Sequence, residues 1–292
     1  MDHLRQIFAL RQLYSVQVEN RVAIGLGDIR HAERCIRENY GIELRNLKIL
    51  EIGPGQFGGQ LPFLALNNQA IGVDTDIVIH GFSVSKYFQM FRQNGAARTV
   101  KTIGRKLMGV DRRYFKELRT KLSVSRISVP EIRTANAMDL PFDANEFDFV
   151  YSRAVFQCVP EPIRAVREVK RVLKPGGIAF ITLQPYTSPT GCLDPRVLYG
   201  GINNELGLWP HLRDELKEKV RPNSYVNKLG LRDWQRIFRD ECGGPIFLMT
   251  GVSEEYISLA NELKGAGHLP DYSVEELTTG ALDVLFTRTA RT

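Results

Sequence analysis

Leu47-Lys-Ile-Leu-Glu-Ile-Gly-Pro-Gly-Gln-Phe-Gly58 is the stretch whose reading decides the fold. Its first six residues are mostly apolar and read as a buried strand, which Gly53-Pro54-Gly55 ends abruptly. Glycines at such a turn let the backbone pass close to a ligand lying across the carboxyl edge of a sheet. A short helix is expected over 58–68, and Ala70-Ile-Gly-Val-Asp74 reads as the next strand. Strand, glycine turn, helix, strand is one βαβ unit, and the handedness of such crossovers places both strands parallel in one sheet.

Working outward, residues 1–45 read as helix. Leu4, Phe8, Leu13 and Val16, then Ile29, Ala32 and Ile36, recur at helical spacing among charges. Beyond Asp74 the alternation breaks off for more than fifty residues and resumes with strands at 131–135 and 147–152. A helix over 160–173 starts at Pro160 and Pro162, carries an apolar stripe of Ile163, Val166, Val169 and Leu173, and stops at Lys174-Pro-Gly-Gly177. A strand at 177–183 follows. Further on, Leu212, Leu216 and Val220 suggest one helix face, 231–239 another helix, and 245–252 and 282–287 two more strands around a helix at 254–264. The expected fold is α/β: a Rossmann-like, doubly wound, seven-stranded and mostly parallel sheet. A helical extension, 1–45, precedes a domain over 46–292 that carries a basic insertion at 77–130 and a substrate-side insertion at 185–230.

The chain is 292 residues long, 43% hydrophobic and 25% charged, which excludes disordered, collagenous and fibrous classes. Met1-Asp2-His3-Leu4-Arg5 has charge where a secretory signal has an apolar run, and no stretch is apolar for long enough to span a bilayer. The four cysteines, Cys35, Cys158, Cys192 and Cys242, are far apart with no CxxC pair, so neither a disulfide framework nor a metal site is expected. A cytoplasmic protein is the expectation. The formal net charge is +6, and its source is local: residues 92–133 hold twelve basic side chains against three acidic ones. There Asp111 could cap a helix whose Tyr114, Phe115, Leu118 and Leu122 form one stripe beside Arg112, Arg113, Lys116 and Arg119. Such a helix can lie on an anionic membrane, bind a phosphate-bearing ligand, or be a solvated face.

Taken alone, the glycine loop also satisfies GxGxxG with Asp74 downstream, which leaves a nicotinamide cofactor open. Three further features bear on the choice. Glu51 stands two residues before the first glycine, an acidic turn Ala135-Asn-Ala-Met-Asp-Leu-Pro-Phe142 leads into an apolar strand, and Leu173-Lys-Pro-Gly-Gly177 introduces the next. In this order they resemble the class I S-adenosylmethionine-dependent methyltransferases over roughly residues 45–184. The resemblance implies S-adenosylmethionine as cofactor, with Glu51, Gly53 and Gly55 along its methionine part and Asp74 accepting both ribose hydroxyls. It also implies Asn136 at the adenine amino group, where the family commonly has aspartate, Ala137 and Met138 against the ring, and Ser152 near the methionine amino end.

One departure concerns the chemistry. Phe156-Gln-Cys-Val159 stands where many relatives read Leu-Glu-His-Val, so the usual candidate base is absent. Cys158 could serve only as a stabilised thiolate. Of the five histidines, His211 and His80 have chain positions that could reach the carboxyl edge, and His211 is the candidate base. The stretches Trp209–Arg213, Arg221–Asn227 and Leu231–Trp234 are loosely similar to methyltransferases of bacterial surface-saccharide assembly, which implies a small-molecule or lipid-linked saccharide acceptor with an oxygen nucleophile. Peripheral contact with an anionic membrane through 92–133 is a further expectation. The rivals are an RNA methyltransferase using the basic segment as its phosphate footprint, disfavoured by the scarcity of aromatics there, and a non-catalytic S-adenosylmethionine-binding protein.

Overall fold

Strand β1, Lys48–Ile52, forms from the apolar run that opens the glycine loop, and four of its five residues are buried. It pairs in parallel with β2, Gln69–Asp74, in the register Lys48↔Gln69 to Ile52↔Val73. β2 pairs in parallel with β3, Ile132–Thr134. The structure is a computed structural model that describes residues 2–81 and 83–289, except the side chains of 2–17 and Ala97. It has a seven-stranded, mostly parallel sheet, as the sequence implied. The chain divides into two compact units, Met1–Asn136 and Ala137–Thr292.

In the first unit the strand order is β3-β2-β1. The helix expected over 58–68 is reduced to a 3-10 turn, Gly55–Phe57, and one turn of helix α2, Leu61–Leu64. Gly58 and Gly59 have φ of 82° and 51°, which no right-handed helix accommodates. The turn ends early because Asn68 closes it: its Nδ2 donates to the carbonyls of Leu64, at 2.8 Å, and Leu44, at 3.1 Å.

Helix α1 runs over Asp2–Tyr40. Leu4, Phe8, Leu13 and Val16 lie outside the described side chains, whereas Ile29, Ala32 and Ile36 are buried as their spacing predicts. The basic insertion folds into α3, Val84–Leu107, kinked at Gly95, and α4, Val110–Leu122. Asp111 is not the cap of α4. Gly109 takes that position with φ of 67°, and Asp111 instead accepts from Arg105 Nε at 2.6 Å. The apolar stripe of α4 is covered from within, since Val110, Tyr114 and Leu118 pack on Val18, Val22 and Leu26 of α1.

In the second unit the order is β4-β5-β7-β6. β4, Phe147–Arg153, is parallel to β5, Leu173–Leu183, while β7, Thr279–Thr287, is antiparallel to both β5 and β6, Ile246–Gly251. Helix α5, Pro162–Val172, buries Ala165, Val166, Val169 and Val172. Ile163, expected in that stripe, is 42% exposed, because the buried arc is centred one position over.

The helix suggested by Leu212, Leu216 and Val220 does not form. Two 3-10 turns, Pro210–Leu212 and Lys217–Lys219, stand in its place. Leu212 packs with Trp209, Leu269 and Leu277, whereas Val220 packs with Cys192, Val197 and Leu206. One helix face cannot serve two separate clusters, so tertiary packing overrides local propensity. The same segment is pinned by Asp194, the N-cap of α6 (Pro195–Gly200). Its buried carboxylate takes Arg196 Nη2 at 2.7 Å and the Arg221 amide at 2.6 Å, and the Arg196 guanidinium holds it down at about 2.

Candidate cofactor site

The glycine loop is shaped by two carboxylates. Gly53 donates to the Val73 carbonyl at 2.8 Å, which ties the end of β1 to β2, and Gly55 turns with φ of 65° so that its amide meets Asp74 Oδ2 at 2.8 Å. Asp74 Oδ1 accepts the Asp76 amide at 2.8 Å. Each carboxylate oxygen has two lone pairs, so one remains free on each for a vicinal diol. Burial raises the Asp74 pKa, and the two amides oppose that.

Glu51 lies beneath the loop at 2% exposure. Its Oε1 accepts the Gln60 amide at 3.1 Å, and its Oε2 is buried with no partner among the described residues. Burial pushes its pKa up to about 8 against the pull of the Gln60 and Leu61 amides, so the side chain is largely protonated at neutral pH. An orphaned buried carboxyl oxygen is costly unless a donor or cation fills the gap.

The loop tolerates no bulk at Gly59. A Cβ there would stand 2.3 Å from Glu51 Oε1 and 3.0 Å from the backbone of Pro54, on a backbone with φ of 51°. Gly59→Ala should therefore cost roughly 2–4 kcal/mol in stability, from overpacking and left-handed strain together. Gly55→Ala meets nothing within 4 Å and should cost only the strain, about 1–2 kcal/mol. Thermal melts of the two variants check the contrast.

Phe57, at the tip of the loop, is clamped from three elements. The guanidinium of Arg105 lies 4.6 Å and that of Arg21 5.0 Å from its ring centroid, and Tyr114 sits at 4.9 Å. Arg105 also donates to the Gln56 carbonyl at 3.3 Å. No sequence signal pointed to this clamp, because residues 21, 57, 105 and 114 belong to four separate segments.

Glu51, Gly53, Gly55 and Asp74 are thus brought together, and Asn136 joins them: Ala135 donates to the Asp74 carbonyl at 2.9 Å, which sets the exposed Asn136 beside it in the chain. His80 is here too, its Cε1 3.6 Å from where a Cβ on Gly58 would stand. Burial and the nearby Lys106 lower its pKa to about 4.

Ala137, Met138, Ser152 and His211 belong to the second unit. Ala137 is buried in the turn after β3, Met138 is half-buried, and Ser152 is fully buried in β4 opposite Ile181. His211, the candidate base, lies in the 3-10 turn Pro210–Leu212. It is buried, its Nε2 donates to the Tyr186 carbonyl at 2.7 Å, and its ring meets the Tyr186 ring edge-on at 4.8 Å. Burial lowers its pKa to about 4, leaving a neutral ring with Nδ1 unprotonated.

Burial pushes the Cys158 thiol up, so it is no thiolate at neutral pH. Its neighbour Gln157 was passed over in the sequence. It is 3% exposed, with Oε1 unpartnered among the described residues, and its loop is pinned by Asn227 Nδ2 donating to the carbonyls of Phe156 at 2.8 Å and Val159 at 3.0 Å.

Residues 92–181 match the family model described as a methyltransferase domain. That match covers under a third of the chain. Demethylmenaquinone methyltransferase of Staphylococcus carnosus (strain TM300) is 52% identical over 52 residues, 17% of this chain and 22% of that protein. The protein of the same name from Bacillus cereus (strain B4264) is 37% identical over 67 residues, 22% of this chain and 28% of that one. The matched stretches thus span about a quarter of these relatives' length. The crystal structure of YcgJ protein from Bacillus subtilis aligns with 90% of this chain and 100% of its own at 17% identity and a TM-score of 0.45, a similarity that speaks to neither substrate nor chemistry. The residues of the loop fit the S-adenosylmethionine that the resemblance implies: Asp74 has lone pairs for the ribose diol, and the orphaned Glu51 Oε2 suits the methionine ammonium.

Proposed function

We propose that this protein is an S-adenosylmethionine-dependent methyltransferase that methylates an oxygen on a small-molecule or lipid-linked acceptor, with a sugar hydroxyl as one candidate. The observation that carries the reading is the cradle at the glycine loop, where a buried, orphaned Glu51 and a half-used Asp74 await donors in the pattern of an amino acid and a ribose. The curated relatives' names support a small-molecule acceptor.

The cofactor supplies an electrophilic methyl carbon, so the protein must contribute position and, for a hydroxyl acceptor, a place for its proton. Glu51 and the loop hold the amino-acid end, Asp74 the ribose, and Asn136, Ala137 and Met138 the adenine. Ser152 is assigned to the amino end by the resemblance alone. His211 Nδ1 is the proton acceptor of this proposal. On that role His211→Gln lowers kcat by about a hundredfold and leaves cofactor affinity unchanged; equal kcat in stopped-time assays removes His211 from the mechanism.

The test is calorimetric titration with S-adenosylmethionine, followed by methyl-label transfer to nucleotide sugars, lipid-linked glycans, quinols and RNA. Absence of binding overturns the methyltransferase reading. Binding without transfer to any acceptor favours a non-catalytic cofactor-binding protein, and transfer to RNA alone favours the nucleic-acid rival.

A further inference from the structure

Helix α3 is amphipathic the wrong way round for a helix of a protein interior. Over its second half it buries two threonines, Thr99 at 7% and Thr102 at 2% exposure, and exposes Val100 at 68%, Ile103 at 39% and Leu107 at 83%. Its first half, before the kink at Gly95, buries Met90 and exposes Val84 at 72%, Phe88 at 61% and Phe91 at 53%. Each exposed trio has the spacing of one helical face and falls within roughly 60° of arc at 100° per residue. Solvent gives no reason to place six large apolar side chains on one helix while threonines go inside.

The charge on the same helix says what covers the stripe. α3 has six basic residues and no acidic one in twenty-four positions. Three of them, Lys86, Arg92 and Lys101, are exposed and have no acidic partner among the described residues, and Arg112 of α4 adds a fourth exposed positive group nearby in the chain. The other three, Arg98, Lys106 and Arg105, are engaged by Asp76 and Asp111. Val84, Ile103 and Leu107 also line a groove of about 740 Å³ that includes Phe115 and Val129, a volume that would hold part of an acyl or prenyl chain. Among the described residues no helix is long and apolar enough to cross a membrane. Phenylalanines on the exposed face of the first half and leucine on that of the second, with unpaired lysine and arginine beside them, are the features of helical segments lying in the surface of an anionic bilayer.

We propose that α3 docks this protein onto an anionic lipid surface, with Val84, Phe88, Phe91, Val100, Ile103 and Leu107 entering the acyl boundary while Lys86, Arg92 and Lys101 meet lipid phosphates. The face differs from the Tyr114–Leu122 stripe that the sequence singled out, although much of it falls within the same basic segment, 92–133. The apolar face of α4 is taken by α1, and the face left for a membrane is that of α3. Docking also adjoins the cofactor loop, because Arg105 near the end of α3 stacks on Phe57 and donates to Gln56. The proposal does not depend on methyl transfer, and its test measures none.

Flotation of the full chain with vesicles of phosphatidylglycerol and phosphatidylcholine, and of phosphatidylcholine alone, reads it directly. Binding to the anionic vesicles is expected to be at least tenfold stronger than to the neutral ones and to weaken steeply between 0.05 and 0.5 M salt, about the behaviour of a basic interfacial helix. The pair Phe88→Ser with Leu107→Ser, and separately Lys86→Glu with Lys101→Glu, should each lower it about tenfold or more with an unchanged melting temperature, since all four side chains are exposed. No binding of the unmodified protein at low salt overturns the proposal. So does a dimer in light scattering that the serine pair dissociates, which would assign the stripe to a second copy. Binding that the charge pair reduces and the serine pair leaves intact, matched by equal binding to RNA, would make the surface a general polyanion site and overturn it as well.

Discussion

Asp74→Ala lowers the affinity for S-adenosylmethionine by at least about a hundredfold, because two charge-assisted hydrogen bonds to the ribose hydroxyls are each worth roughly 1.5–3 kcal/mol. The loss has a second source in the free protein. The Gly55 and Asp76 amides, which Asp74 accepts at 2.8 Å each, would lose their acceptor and with it the turn that opens the loop to a ligand. Asp74→Asn, which preserves the shape but turns an amide toward one of those N–H groups, is expected to weaken binding about tenfold or more. Calorimetric titration with melting curves for both variants checks this. Unchanged affinity in a folded Asp74→Ala protein would remove Asp74 from the ribose site.

Glu51 should impose a pH dependence on the free protein that the cofactor reverses. Its pKa in the folded chain, about 8, stands above the ordinary value of 4.5 because burial disfavours the charged form. The folded state therefore holds this proton more tightly than the unfolded state. The contribution to stability is complete below about 4.5 and is lost as pH rises through about 8, on the order of 3–5 kcal/mol across the window. Glu51→Gln cannot ionise and should keep that stability, so the cofactor-free variant melts about 5 °C or more above the unmodified protein at pH 8 and shows little difference at pH 4.5.

Cofactor binding is expected to run the other way. An ammonium placed against Oε2 favours the carboxylate, so binding at pH 7 should release close to one proton, seen as a heat that varies with the ionisation enthalpy of the buffer. Glu51→Gln abolishes that variation. Heats independent of buffer in the unmodified protein would show that the cofactor's amine does not meet Glu51.

Individual residues show how much was legible beforehand. That Glu51, Gly53, Gly55 and Asp74 meet at one loop was readable because a βαβ unit is a local object: strand, turn and strand lie within thirty residues. Asn136 lies outside that local unit, after β3, which pairs with β2 across an insertion of more than fifty residues. His211 was singled out as the candidate base from its chain position, but the burial that keeps it neutral was not readable, since its ring packs on Tyr186, twenty-five residues away. Ile163 was a near miss of one helical position, well within what periodicity resolves. The missing helix at 212–220 was a failure of a different kind, since Leu212 and Val220 go to two separate clusters that only the folded chain defines.

The basic segment marks the boundary between the two sources of knowledge. Composition and order alone determined that residues 92–133 carry the positive excess, that they interrupt an α/β alternation, and that at least one helix within them is amphipathic. Which apolar face would be covered could not be read there, because periodicity reports that a face exists and is silent on its partner. Packing decided it: α1 returns over α4 and satisfies Tyr114 and Leu118, while α3 turns Thr99 and Thr102 inward and leaves Phe88 and Leu107 in solvent. Amphipathicity is a property of neighbours in sequence, whereas burial depends on contacts between distant segments, and only the tertiary structure records those.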